Sequence, residues 1–142
     1  MASKFSAFMA QNVEKIENKK IVVSNRFKDE DGKPIEWEIR AIMEDENEEL
    51  QRKCFVTTPI VGQRSSYNRE LDQVKYVAAL MSASVVFPDL NNAELQDSYG
   101  VKTPEALLKK MLLPAEMGVL ASAVTEFSKL NEEEKLIEEA KN

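Results

Sequence analysis

The strict alternation of apolar and charged residues over 35–40 limits the folds open to this chain more than any other feature. Its apolar positions are Ile35, Trp37 and Ile39, and a period of two predicts a β-strand with one apolar face. A weaker alternation over 21–27 predicts a partner strand, and the turn-forming residues 29–34 between the two complete a β-hairpin. Because a two-stranded hairpin is marginally stable alone, its apolar face must pack on helices.

Apolar residues at helical spacing dominate the rest of the chain. A short N-terminal helix is predicted after Ser3, and further helices are predicted over 44–55, 71–86, 92–100, 103–112, 114–127 and 131–142. The predicted fold class is therefore α+β and mostly α, with one hairpin in the N-terminal half packed on a bundle of about six short-to-medium helices. The stretch 57–69, broken by Pro59 and Gly62, is predicted to be the longest and most mobile loop.

The chain length of 142 residues predicts a single domain over 1–142. A formal net charge of −6 disfavours binding to nucleic acid. The sequence has no histidine, which removes the common nucleophile pairs and zinc sites, and its one cysteine cannot form an intrachain disulfide. With no signal peptide or membrane-spanning stretch recognisable, we expect a protein of the cytoplasm that does not enter membranes.

Three groups of residues are candidates for chemical sites. Asp29, Asp31, Gly32 and Glu38 match positions of a calcium-binding loop, but Phe27 would take the first ligand position, which favours an acidic hairpin turn. The arginines in 63–69 could hold an anion, yet phosphate-loop glycines are missing, which favours a solvated loop. No pattern pairs the carboxylates, and Cys54 lacks a base, so we expect no catalytic residue, metal site or cofactor.

Two kinds of side chain are candidates for contacting a partner. Tyr99 stands before the glycine that ends a predicted helix, where its ring could seal a corner or face another protein. The four methionines Met43, Met81, Met111 and Met117 are predicted to be interior, although methionine-rich grooves also accept varied helices.

Several stretches that together cover most of the chain form a recognisable series: Ser24-Asn25-Arg26-Phe27, residues 31–34 and 37–39, the runs 84–91 and 93–100, Leu107 to Leu112 with Pro114 and Glu116, and the ending 138–142. Taken in this order, they resemble the phage tail assembly chaperones of the XkdN type, which tailed phages and defective prophages of Gram-positive bacteria encode. Ala115 departs from the family pattern, in which a glycine often follows the proline.

The resemblance implies a protein without catalytic residues or cofactors. Such a chaperone would bind the tape-measure protein, promote assembly of the tail-tube protein around it, and be absent from the finished tail. A groove that accepts helices is expected between the hairpin and the C-terminal helices, with Leu136 and Ile137 incompletely covered. Self-association is compatible with this function. The alternatives are a small regulatory or adaptor protein of a mobile element, without catalysis, and an enzyme that uses carboxylates or the 64–69 loop.

Overall fold

The computed structural model describes residues 4–129. Its elements are a 3-10 turn (Ser6–Phe8), β1 (Lys19–Ile21), β2 (Trp37–Ile39), α1 (Glu44–Lys53), β3 (Phe55–Pro59), β4 (Tyr67–Leu71), α2 (Gln73–Ser84), β5 (Val85–Phe87), α3 (Ala93–Ser98), α4 (Pro104–Met111) and α5 (Pro114–Phe127). The α+β class is confirmed. The described residues form five α-helices and two small sheets, so the prediction of one hairpin on about six helices is inexact. The predicted Ser3 cap and the helix from Asn131 lie outside the described residues.

The first sheet has the strand order β1-β2-β5 and is antiparallel throughout. In its register Ile21 pairs with Trp37, and Ile39 pairs with both Lys19 and Val85. The predicted hairpin is therefore present, but its first strand ends at Ile21 rather than reaching Phe27. The third strand is not predicted from the sequence, because residues 85 and 86 fall in the helix predicted over 71–86. The β-branched and aromatic residues of 85–87 suit a strand, and β5 pairs with β2.

The hydrophobic core lies between this sheet and the helices α2, α4 and α5. Trp37 and Ile39 are 1% and 0% exposed, and Leu107, Leu120 and Val124 from the helices are 0% exposed. This packing supplies the helical layer that the alternation over 35–40 required. No helix within residues 4–129 is long and apolar enough to cross a membrane.

Side-chain caps place the starts of the helices where the sequence predicted them. The Asn92 carboxamide oxygen accepts the Leu95 N–H at 2.9 Å, and the Thr103 hydroxyl accepts the Ala106 N–H at 3.2 Å. Pro104 follows as the first residue of α4, where its missing N–H costs no helical hydrogen bond. These two helix starts are confirmed.

The segment predicted as the longest loop is instead an antiparallel ribbon of β3 and β4, so that prediction is wrong. Phe55 pairs with Leu71 at one end and Pro59 with Tyr67 at the other. Gly62 and Ser65 have φ angles of 85° and 63°, and they close a turn over 60–66. The polar residues near the turn obscured the high strand propensity of Thr57 and its neighbours.

The N-terminal helix is also an incorrect prediction. Residues 4–18 contain only the 3-10 turn, and the side chains of Phe5 and Phe8 are 68% and 82% exposed. An amphipathic helix gains its stability from covering its apolar face, and that face does not pack on the core here.

Candidate functional site

Two sequence segments that carry the family resemblance meet at one corner of the fold, which we call the Arg26–Glu116 corner. The Arg26 guanidinium donates to both carboxylate oxygens of Glu116, at 2.5 and 3.1 Å, and to the Met111 carbonyl at 2.7 Å. The Ser24 hydroxyl also donates to Glu116. The loop after β1 is thereby fastened to the start of α5.

The Glu116 carboxylate is held in its charged form. Its side chain is 13% exposed, and it also accepts the Leu113 N–H at 2.7 Å, as a residue in the first helical turn can. The hydrogen bond from Arg26, followed by those from Leu113 and Ser24, lowers the pKa of Glu116 to about 2. A carboxylate whose acceptor positions are filled this way is a structural anchor and a poor general base.

Tyr99 lies at the edge of the same corner. Tyr99 is 36% exposed, and in its ionised form it is the last of the groups that raise the pKa of Arg26, after the larger effect of Glu116. Tyr99 follows α3, and at the end of that helix the Gly100 N–H donates to the backbone carbonyl of Asp97 at 3.1 Å. The part of Tyr99 in partner binding stays a prediction, and Leu136 and Ile137 lie outside the described residues.

A groove lies between the end of the β1–β2 hairpin and the C-terminal end of α5, and we call it the hairpin–α5 groove. Its volume is about 650 Å³. Its apolar lining includes Ile16, Ile42, Met43 and Phe127. Met43 and Ile16 are 58% and 59% exposed, whereas Ile42 is 5% exposed. The groove therefore has a fixed base and an exposed apolar rim.

The groove walls are fastened to one another and carry charges of both signs. The Ser128 hydroxyl, just after α5, accepts the Ile42 N–H at 2.9 Å. Lys19 and Lys129 line the groove together with Glu44 and Glu126. An apolar base with mixed charges at the rim suits the apolar face of an amphipathic helix.

The acidic residues at the start of the 29–34 turn have a structural explanation. In the 29–34 turn the Asp29 carboxylate accepts the N–H groups of Asp31 and Lys33, both at 2.9 Å, which accounts for its place in the turn. Within residues 4–129 no cluster of cysteine and acidic residues could hold a metal ion. Arg69 lies over the Phe55 ring at 4.5 Å, on the arm formed by β3 and β4.

The methionines divide between core and surface. Met81 and Met111 are 1% and 5% exposed, which confirms the interior prediction for them, and Met117 packs against the core while partly buried. Met43 is exposed, so the interior prediction is wrong there. It precedes α1 as its N-terminal capping residue, where the chain leaves the sheet. The position of Met43 immediately before α1 was the signal in the sequence that could have placed its side chain at the surface.

Comparison with known proteins defines the class. The family model for the phage XkdN-like tail assembly chaperone protein matches residues 5–141, and this chain belongs to that family.

Individual relatives are distant in sequence. The chain is 25% identical over 139 residues to the phage-like element PBSX protein XkdN of Bacillus subtilis (strain 168), covering 96% of this chain and 93% of that protein. It is 24% identical over 107 residues to the uncharacterized protein YqbN of the same strain, covering 75% of this chain and 70% of the relative. A crystal structure of the protein YqbN has the same fold, with a TM-score of 0.75 and 22% identity over 91% of this chain and 98% of that one.

Proposed function

We propose that this chain is a non-enzymatic chaperone that binds the tape-measure protein during tail assembly and promotes assembly of the tail-tube protein around it. It acts in the cytoplasm of the bacterial host, folds as one domain over 1–142, needs no cofactor, and leaves before the tail is finished. The membership of the chain in the tail assembly chaperone family supports this function.

The observation that carries the proposal at the residue level is the hairpin–α5 groove. A tape-measure protein is a long, largely helical chain with much apolar surface, and it needs that surface covered until the tube encloses it. The flexible side chain of Met43 at the groove rim can adapt to successive helical segments that differ in sequence. Tyr99, Leu136 and Ile137 are further proposed contact residues.

Co-expression with the tape-measure protein and the tail-tube protein of the same phage or prophage tests the proposal. We expect a tagged copy of this chain to purify with the tape-measure protein and to increase its soluble fraction. M43E places a charge in the apolar rim and should reduce the recovered tape-measure protein.

The matched control is V119E, which makes the same chemical change on α5 at a side chain that is 49% exposed and does not line the groove. It should leave recovery unchanged. If M43E and V119E recover the same amount, the groove is the wrong site. If wild-type protein, fully folded, purifies with neither tail protein, the chaperone function itself is wrong and the adaptor alternative is favoured.

A further inference from the structure

The β3–β4 ribbon, which we call the arm, has no core of its own. All five residues of β3 are exposed, and β4 is exposed except at Leu71, which is half-buried. A two-stranded ribbon with both faces in water is marginally stable by itself. The arm therefore presents strand edges that the fold of residues 4–129 does not use.

The outward-facing backbone groups of β3 can be identified from the hydrogen bonds at the two ends of the arm. The Asp72 N–H donates to the Cys54 carbonyl at 2.8 Å, and the Ile60 N–H donates to the Ser66 carbonyl at 3.0 Å. In an antiparallel ladder the hydrogen-bonded pairs alternate, so the even-numbered residues of 54–60 bond towards β4. Phe55, Thr57 and Pro59 therefore direct their backbone groups away from the arm.

The two edges of the arm differ in charge. The residues of β3 are Phe55, Val56, Thr57, Thr58 and Pro59, none of which is charged. The outer edge of β4 carries Arg69 and Glu70 near its centre, and pairing that edge with its own copy about either residue would oppose like charges. Charged residues are a common protection against edge pairing, and only β4 has them.

We propose that β3 pairs with β3 of a second copy of this chain, forming a four-stranded antiparallel sheet across a two-fold axis. The pairing is centred on Thr57, whose N–H and carbonyl groups are both directed outwards. Each Thr57 then donates to and accepts from its counterpart. Phe55 lies opposite Pro59 of the other copy, where its N–H donates to the Pro59 carbonyl and its ring covers the proline.

Pro59 limits how many hydrogen bonds this register can form. Proline has no N–H, and the position of Pro59 in β3 directs the missing donor away from β4 and towards the second copy. The hydrogen bonds within the arm are kept, but the Phe55 carbonyl opposite Pro59 receives no donor from it, so each Phe55–Pro59 pair makes one hydrogen bond instead of two. The proposal goes beyond the chaperone function and stands or falls independently of tape-measure binding.

Disulfide trapping of the full chain tests the register directly. Residues opposite each other in a hydrogen-bonded antiparallel pair have α-carbons about 5.5 Å apart, within the range that a disulfide spans. T57C should therefore convert to a covalent dimer under mild oxidation. The wild-type chain contains only the buried Cys54 and should remain monomeric on a denaturing gel.

N68C is the matched control, because Asn68 pairs with Thr58 on the same exposed arm but lies on the charged edge. It should form little covalent dimer under the same oxidation. Equal trapping of N68C and T57C would contradict the β3 edge as the contact, and absence of trapping in T57C would contradict the register.

Sedimentation of unmodified chains provides the second measurement. Wild type should be dimeric at roughly 100 μM, and T57K should weaken the dimer by about tenfold or more because it opposes two like charges. N68K carries the same charge change and should leave the dimer intact. A monomeric wild type would overturn the proposal, as would a T57K variant whose oligomeric state is the same as that of wild type, because the β3 edge would then not be the contact between copies.

Discussion

The two antiparallel strand pairs of this protein have similar backbone hydrogen bonding, but they differ in how far their side chains are buried. The β1–β2 pair gains β5 as a third strand and places Trp37 and Ile39 under helices α2, α4 and α5. The β3–β4 arm has five paired positions, more than the three of β1–β2. All of its residues except the half-buried Leu71 are nevertheless exposed to solvent. Strand pairing alone therefore does not determine how much a hairpin contributes to the stability of the fold. The burial of its side chains does.

This difference separates the parts of the chain that stabilise the fold from those that are free to bind. The β1–β2–β5 sheet cannot change without loss of the core, whereas the exposed strands of the arm can change at little cost to folding. The hairpin–α5 groove combines both kinds of residue, since Ile42 belongs to the core and the neighbouring Met43 is exposed.

The largest effect is expected from I39A in the central strand. Ile39 is 0% exposed, and truncating such a residue leaves a cavity that lowers the free energy of unfolding by about 2 to 5 kcal/mol. Urea denaturation should show a lower midpoint with an unchanged slope. A loss below about 1 kcal/mol would mean that the sheet is not the centre of the core.

An intermediate and pH-dependent effect is expected from E116Q at the Arg26–Glu116 corner. The pKa of Glu116 is about 2 in the folded chain against its ordinary value of 4.5, so its charged form stabilises the fold above pH 4.5. That contribution is lost as the pH falls from about 4.5 to about 2. The stability difference between wild type and E116Q should therefore be full at neutral pH and shrink over that interval.

E105Q is the control for this pH dependence. Glu105 also lies in the first turn of a helix, α4, and the described residues include no ion pair for it. Thermal unfolding from pH 7 to pH 2 should separate the two variants. A wild-type-minus-E116Q difference that stays constant from pH 7 to pH 2 would show that the Glu116 charge contributes nothing to stability.

A smaller loss is expected from T103A, which removes the cap of a helix that covers the first sheet. The Thr103 hydroxyl accepts the Ala106 N–H at 3.2 Å, and losing such a cap typically costs about 1 kcal/mol. Chemical denaturation measures it. T103S keeps the hydroxyl and should remain close to wild type, so equal losses in both variants would rule out capping as the cause.

The smallest change is expected from V56A on the arm. Val56 is 38% exposed, and substitutions at exposed positions usually alter stability by no more than about 0.5 kcal/mol. The same denaturation experiment as for I39A makes the comparison direct. A loss from V56A close to that from I39A would mean that the arm belongs to the cooperative core after all.

The elements that sequence predicted well are those with a local cause. The caps at Asn92 and Thr103 act within one helical turn, and the alternation over 35–40 reports the buried face of a single strand. Strand β5 pairs with β2, which lies 46 or more residues earlier in the sequence. No sequence pattern within 85–87 indicates which strand it pairs with. This long-range pairing determines the conformation of 85–87, although the apolar spacing of the residues before them is helical.

The candidate site was less accessible from sequence. A general location between the hairpin and the C-terminal helices was predicted, but Leu136 and Ile137 were chosen for it, and they lie outside the described residues. Met43 and Phe127 both line the groove, where the Ser128 hydroxyl accepts the Ile42 N–H, and no local sequence pattern indicates this contact across 86 residues. The arm is not predicted from the sequence, because Pro59 and Gly62 indicate a loop while the paired strands on either side of the turn extend into 57–69.

The central claim is that this chain acts by covering apolar helical surface on the tape-measure protein, and calorimetric titration with a tape-measure segment tests it most directly. We expect saturable binding with a negative heat-capacity change, and an affinity that M43E lowers about tenfold or more and V119E leaves unchanged. Absence of binding by folded wild-type protein, or binding with no heat-capacity change, would contradict it.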